Sequence, residues 1–193
     1  MKNIIAFIGR AGSGKDYQCN KLVEQGYVKL AFADALRDIA FSSLNIDIDW
    51  GLEHYDWLKE NKCIIVNLGE EKHELDFRQF LQFLGTQGIR KYAYDFWCQC
   101  LNSTILANKY EQVCISDMRF INEYMSVRDF CIKYGYKYKV IFCDYKSDRY
   151  QKDNDHQSAR MGNWFANNGY KDLQDISYTD MDKFIQAERF QKS

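Results

Sequence analysis

The residues most able to do chemistry form one glycine-rich segment, GRAGSGKD, at residues 9–16. Glycines at this spacing let backbone N–H groups turn inward around phosphate oxygens, and Lys15 can reach the outer phosphates of a nucleotide. The segment directly follows an apolar run at residues 4–8 and precedes a helix-forming stretch, which is the context that this motif requires. The sequence therefore predicts an ATP-binding phosphate loop made of these residues: Gly9, Arg10, Ala11, Gly12, Ser13, Gly14, Lys15 and Asp16.

Two carboxylates are candidate magnesium ligands. The residue after the motif lysine is usually Ser or Thr, whose hydroxyl binds Mg²⁺, but here it is Asp16. A carboxylate also suits Mg²⁺, either directly or through water. Asp117 closes the apolar run at residues 112–116, where P-loop enzymes place a second metal-associated carboxylate, although an Asp after a strand can also be a plain turn residue. We expect Asp16 and Asp117 to hold the metal, with Arg119 in the same cleft.

A second group of polar residues lies on a predicted helix at residues 77–84, which Asp76 can cap and Gly85 is expected to end. Arg78 and Gln82 are four residues apart, so they project from the same side, opposite the apolar face. Taken alone, this pattern is also typical of a solvated helix face.

The elements that must position these residues alternate along the chain. Apolar runs predict buried strands at residues 4–8, 28–32, 112–116 and 138–143. Helices are expected at about residues 15–24, 34–44, 94–107, 122–134 and 178–189. This alternation predicts an α/β fold with a doubly wound parallel sheet flanked by helices. Ligands of such sheets bind beyond the carboxyl ends of the strands, where Gly9 and Asp117 both lie.

Composition limits the class of protein. The chain has 193 residues and a net charge of −1, which argues against a protein that coats nucleic acid. Its seven cysteines are odd in number and include no CxxC pair, so we expect them to be reduced. No secretory leader or apolar run of about 20 residues is present, which predicts a soluble, cytoplasmic protein without membrane contact. The length suits a single domain with an insertion.

The sequence resembles the bacteriophage deoxynucleoside monophosphate kinases, relatives of adenylate kinase within the P-loop kinases. The matching blocks are Gly14-Lys15-Asp16; Phe32-Ala33-Asp34-Ala35-Leu36-Arg37; Arg78, Leu81, Gln82, Gly85, Thr86 and Arg90, with Trp97 seven residues on; Asp117, Arg119, Phe120, Asn122 and Glu123; and His156-Gln157-Ser158 followed by Asn167-Asn168-Gly169. The chain departs from the family at Ala159, where a glutamate is frequent, and only Arg149 and Arg160 supply arginines to the region of the lid.

The resemblance implies transfer of the γ-phosphoryl group of Mg-ATP to a deoxynucleoside 5′-monophosphate in the cytoplasm of a host cell. It assigns catalysis to Lys15, Arg119 and Asp117. The acceptor would be bound by Phe32, Arg37, Arg78, Gln82, Arg90 and Trp97, although spacing alone favours a core position for Trp97. The whole chain would be one kinase domain, with an acceptor-binding insertion at residues 45–110 and a lid at residues 145–162. Related enzymes imply that a homodimer can form.

Two other functions compete with this interpretation. Kinases of other small phosphorylated metabolites, such as phosphomevalonate, can also carry Gly-Lys-Asp in the phosphate loop. A regulatory GTP switch is suggested by Asn108-Lys109-Tyr110-Glu111, which is similar to the guanine-binding Asn-Lys-x-Asp. That segment ends in Glu and precedes a strand, however, and Asp117 is not followed by the glycine of a switch region. The sequence therefore favours a kinase.

Overall fold

The computed structural model describes residues 1–68, 70–144, 159–171 and 173–190, and the chain divides into two compact units. The first unit comprises Met1–Phe32 with Leu101–Ser193, and the second comprises Ala33–Cys100. The predicted insertion at residues 45–110 overlaps the second unit. Within the described ranges, every helix is too short or too polar to cross a lipid bilayer.

The strands along the chain are β1 (Asn3–Ile8), β2 (Val28–Leu30), β3 (Cys63–Leu68), β4 (Glu71–Asp76), β5 (Gln112–Ile115), β6 (Lys137–Phe142) and β7 (Gln174–Asp175). The helices are α1 (Lys15–Val23), α2 (Asp34–Ser43), α3 (Ile48–Glu53), α4 (Tyr55–Asn61), α5 (Phe77–Gln82), α6 (Arg90–Tyr92), α7 (Phe96–Ala107), α8 (Ile121–Tyr134), α9 (Arg160–Asn167) and α10 (Tyr178–Phe190). A π-helical segment, Phe83–Ile89, joins α5 to α6.

The first unit is built on a sheet with the strand order β2-β5-β1-β6-β7. The strands β2, β5, β1 and β6 run parallel, and β7 pairs antiparallel with β6. The register places Ile4 of β1 opposite Val113 of β5 and Tyr138 of β6. The predicted fold class, a mostly parallel sheet flanked by helices, is therefore confirmed. Both residues of β7 are exposed and polar, so no apolar run indicates this strand in the sequence.

The helix α1 packs on this sheet through Cys19, which is fully buried with Phe7, Cys114 and Cys143. All of the cysteines are free thiols, as the sequence predicts. The helix α9 was not predicted, because only Met161 and Phe165 among its large side chains are fully buried and the rest of the segment is mainly polar. These two residues are four positions apart and therefore lie on one face.

The second unit has its own core, in which the rings of Phe41 and Phe77 stack at 5.8 Å. A β-hairpin of β3 and β4 pairs Cys63 with Asp76 at its open end. The sequence indicated only one apolar run there, because the second strand is mainly polar and largely exposed. The predicted cap of α5 is confirmed, since the Asp76 carboxylate accepts a hydrogen bond from the backbone N–H of Gln79 at 2.7 Å.

The expectation that Gly85 ends this helix was wrong. The chain continues through Gly85 in the π-helical segment and then enters α6. A Cβ at this position would lie 2.8 Å from Leu36 Cδ2, the end of a flexible side chain. The indole N–H of Trp97 also donates to the Gly85 carbonyl at 3.0 Å. π-Helical turns are rare and occur frequently at functional sites.

Candidate functional site

The phosphate loop lies between β1 and α1, and its backbone has positive φ at three glycines. Gly12 and Gly14, with φ of 74° and 83°, are in the left-handed region. Gly9 has φ of 149°, and a Cβ there would lie 2.0 Å from the carbonyl oxygen of Cys143, just after β6. Because these conformations are costly for other residues, the path of the loop depends on the three glycines.

Lys15 folds back over the loop. Its ammonium donates to the carbonyl oxygens of Gly9 at 3.0 Å and Arg10 at 2.6 Å, and only 6% of the residue is exposed. Burial, with a further contribution from the charge of Arg119, lowers the pKa of Lys15 to about 8. A cation that has lost its water in this way is stabilised by any anion placed beside it. The loop therefore offers a partly desolvated positive charge to a phosphate.

Asp16 follows at the start of α1 and faces solvent. Its carboxylate pairs with the Lys29 ammonium of β2 at 2.8 Å, and 75% of its side chain is exposed. An ion pair this exposed contributes little to stability. The carboxylate is therefore accessible to a cation from solution, and its assignment as a metal ligand stays a prediction. Lys29 was not predicted as a functional residue, although a lysine within the apolar run at residues 28–32 was a signal.

Asp117 lies just beyond the end of β5. Its Oδ1 accepts a hydrogen bond from the backbone N–H of Phe32 at 2.8 Å, which ties the chain after β2 to the chain after β5. Phe32 itself is only 4% exposed. The position of Asp117 at the carboxyl end of a parallel strand agrees with the sequence, but this bond also gives the residue a structural role.

The backbone at Arg119 is fixed by a residue for which the sequence suggested no role. Glu123 is 2% exposed, and its Oε2 accepts hydrogen bonds from the backbone N–H groups of Arg119 at 2.7 Å and Phe120 at 3.1 Å. Glu123 occupies the third position of α8, where an acidic side chain commonly binds the free N–H groups of a helix start. That spacing was the available signal. The Arg119 side chain remains exposed at the surface.

The residues assigned to the acceptor within the second unit have different environments. Arg37 forms an ion pair with Asp34, and its guanidinium lies 5.5 Å from the centre of the Tyr55 ring. Arg78 is exposed, whereas Arg90 is only 8% exposed. Arginines held by a carboxylate or by burial are already ordered before a ligand arrives. Arg37 and Arg90 are thus ordered, whereas Arg78 faces solvent, and the assignment of all three to the acceptor stays a prediction.

Gln82 lines an open surface pocket of about 320 Å³ on the second unit. One part of the wall is apolar and another is formed by amide and imidazole groups. The lining residues are Val66, His73, Leu75, Gln79, Gln82, Phe83 and Gln87. Apolar walls with a few polar groups are typical of sites for small ligands. Trp97 is not part of this wall; it is 2% exposed and is bound to the Gly85 carbonyl.

Part of the predicted lid cannot be described. Residues 145–158, which include Arg149 and His156, lie outside the described residues. Arg160, at the start of α9, is 3.6 Å from the Glu188 carboxylate of α10.

The donor set near the phosphate loop fits magnesium. In the described part of the chain, no group of three or more His, Cys, Asp or Glu side chains could hold a metal. Mg²⁺ in nucleotide enzymes usually takes one or two carboxylates, together with substrate phosphates and water. Asp16 and Asp117 are carboxylates of this kind, and the charges of both raise the pKa of Lys15, but their assignment as metal ligands stays a prediction.

Comparisons with known proteins leave the family open. No protein-family model matches the sequence, and no curated protein matches it. Among solved structures, the chain is similar to the Cys556Ala mutant of the APS kinase CysC from Mycobacterium tuberculosis. That match has 16% sequence identity and a TM-score of 0.35, and it covers 86% of this chain and 95% of the other. A likeness at this level says nothing about substrates.

Proposed function

We propose that this protein transfers the γ-phosphoryl group of ATP to a deoxynucleoside 5′-monophosphate, giving ADP and a deoxynucleoside diphosphate. The observation that carries the proposal is the loop at residues 9–15, in which glycines with positive φ and a buried ammonium follow the carboxyl end of β1. Its lysine has a pKa lowered by burial, so binding a polyphosphate recovers electrostatic free energy. The resemblance to the phage deoxynucleoside monophosphate kinases supports the choice of acceptor.

On the donor side, Lys15 neutralises the outer phosphates and Arg119 adds a second positive charge. Phosphoryl transfer depends mainly on positioning and on cations around the moving group, so these two residues need no covalent role. Asp16 and Asp117 would hold Mg²⁺, which supplies further charge neutralisation at the phosphates when bound. The bond from Phe32 N to Asp117 fixes the direction of the second carboxylate.

On the acceptor side, we assign binding of the deoxynucleoside monophosphate to the second unit. Its π-helical segment contains Gly85 and Thr86, which belong to the block resembling the acceptor site of the family. The adjacent pocket places Phe83 on its apolar wall and Gln82 among its hydrogen-bonding groups. A nucleobase is flat, with donors and acceptors on its edge, and amides can satisfy both kinds of group. This chemistry supports a nucleotide over an acceptor without a base.

The test is a panel assay in which ADP release from Mg-ATP is followed with each deoxy- and ribonucleoside monophosphate in turn. Phosphomevalonate serves as the acceptor without a base. We expect ADP release to depend on an added deoxynucleoside monophosphate, with product identity checked by mass spectrometry. Equal ADP release with and without every acceptor would refute the kinase assignment. Turnover with phosphomevalonate alone would refute the nucleotide assignment.

Matched variants connect that activity to the site. Lys15→Met should abolish most turnover, while Lys21→Met, an exposed lysine of the same helix, should not. Gln82→Leu should change the relative rates among bases, because it removes an amide from the pocket wall. Circular dichroism of each variant checks that the fold is retained.

A further inference from the structure

The first peptide of the phosphate loop, Gly9–Arg10, is enclosed by contacts from distant parts of the chain. On one side, the Cys143 carbonyl approaches so closely that a Cβ on Gly9 would lie 2.0 Å from it. Within the loop, the Lys15 ammonium donates to the carbonyl oxygens of both Gly9 and Arg10. A third contact comes from Gly162 in α9, where a Cβ would lie 2.7 Å from the Gly9 carbonyl carbon and 2.9 Å from the Arg10 nitrogen.

The position of α9 is fixed independently of the loop. Met161 and Phe165 are fully buried on its inner face, and the Phe165 ring lies 5.9 Å from that of Phe142 on β6. Phe165 also lies 6.0 Å from Phe184 of α10. A side chain at Gly162 would therefore press on the loop, because tightly packed interiors transmit a displacement rather than absorb it.

A hydrogen bond completes the attachment at the other end of the helix. The Arg10 Nη2 donates to Asn167 Oδ1 at 2.9 Å, across 157 residues of sequence. Both ends of α9 thus act on the same two loop residues, Gly162 by steric contact and Asn167 by a hydrogen bond. Glycine is less favourable than alanine within a helix, so its presence here calls for a packing reason.

We propose that Gly162 and Asn167 are positioning residues that hold the Gly9–Arg10 peptide in the geometry required to bind the phosphates of ATP. This inference rests on the proposed function, because it assumes that the loop binds ATP. Loop N–H groups must meet phosphate oxygens within a few tenths of an ångström, so a displaced first peptide weakens ATP binding. Acceptor binding, which the proposal assigns to the second unit, should be unaffected.

The test compares Gly162→Ala with Phe130→Leu by calorimetric titration of Mg-ATP. Phe130 is buried in α8, where its ring packs against Tyr134 and Tyr136, so Phe130→Leu controls for general destabilisation of the same unit. We expect Gly162→Ala to raise the ATP dissociation constant roughly 10- to 100-fold, with an unchanged acceptor KM at saturating ATP. Phe130→Leu should lower the melting temperature with near-native ATP affinity. Asn167→Ala should weaken ATP binding about three- to ten-fold, whereas Asn168→Ala, whose amide donates to the Trp164 carbonyl instead, should not.

Each result decides the matter. Native ATP affinity in Gly162→Ala, or an equal loss of affinity in Phe130→Leu, would overturn the inference and leave the proposed function standing. Absence of ATP binding by the unmodified protein would refute both. An increased acceptor KM in Gly162→Ala without a change in ATP affinity would also overturn the inference, because the variant would then affect binding of the acceptor and not of ATP.

Discussion

The buried lysine predicts a proton uptake when ATP binds. Burial is the main cause of the lowered pKa of Lys15, and the charge of Arg119 is the second; Asp16, Cys143 and Asp117 act in the opposite direction. In the free protein the amine is therefore half protonated at pH about 8. Only the protonated amine suits a polyphosphate, so the pKa should rise on binding and a proton should be taken up.

The magnitude follows from the free-state pKa of about 8. If the bound lysine stays protonated, uptake is about half a proton at pH 8 and approaches about one proton at pH 9. The same linkage makes ATP binding roughly 10-fold weaker at about pH 9 than at about pH 7. The sign is fixed, because a lysine pKa lowered in the free state can only lose affinity for an anion as pH rises through that value.

The assay is calorimetric titration of ATP, with a chelator present to exclude metal ions, in two buffers of different ionisation enthalpy. The buffer dependence of the binding enthalpy gives the number of protons taken up. Lys15→Arg is the matched control, because a guanidinium stays charged throughout this range and should abolish the uptake. Equal proton uptake in Lys15→Arg and the unmodified protein, or no uptake at pH 8, would refute the reasoning.

Four further outcomes are expected. Asp16→Ala should raise the Mg²⁺ concentration needed for half-maximal turnover. Lys29→Gln should not, since it removes only the ion-pair partner of Asp16. An unchanged Mg²⁺ requirement in Asp16→Ala would show that Asp16 only stabilises the start of the helix. Arg119→Ala should lower kcat by roughly 10³-fold with little change in the KM for ATP, and a change in KM alone would contradict its role in the transition state. Arg90→Lys should raise the acceptor KM in steady-state kinetics while the KM for ATP stays constant, because lysine lacks the planar guanidinium that binds phosphate through two hydrogen bonds. Weakened ATP binding alone would place the acceptor site elsewhere. Glu123→Ala should cost about 2–4 kcal/mol in urea unfolding, because two backbone N–H groups lose a buried acceptor, and a loss below about 0.5 kcal/mol would contradict that account.

The sequence by itself determined the parts of the protein that depend on neighbouring residues. The phosphate loop is one such part, because its backbone is set by Gly9, Gly14 and the residues between them. The central strands β1 and β5 are another, since continuous apolar runs are required wherever a strand is buried on both faces. The cap at Asp76 and the end of α8 at Gly135 also follow from local chemistry.

Only the tertiary structure determined the environment of those residues: their burial, their pKa values and their distant contacts. The pKa of Lys15 depends on burial by elements that the motif does not contain. Asp117 meets Phe32 across 85 residues, and Arg10 meets Asn167 across 157. The chain also continues through Gly85 in a π-helical segment, where the glycine in the sequence indicated a helix end. Periodicity reports which face of an element is apolar, but not which distant residue fills the space beside it, because that contact exists only once the elements have packed.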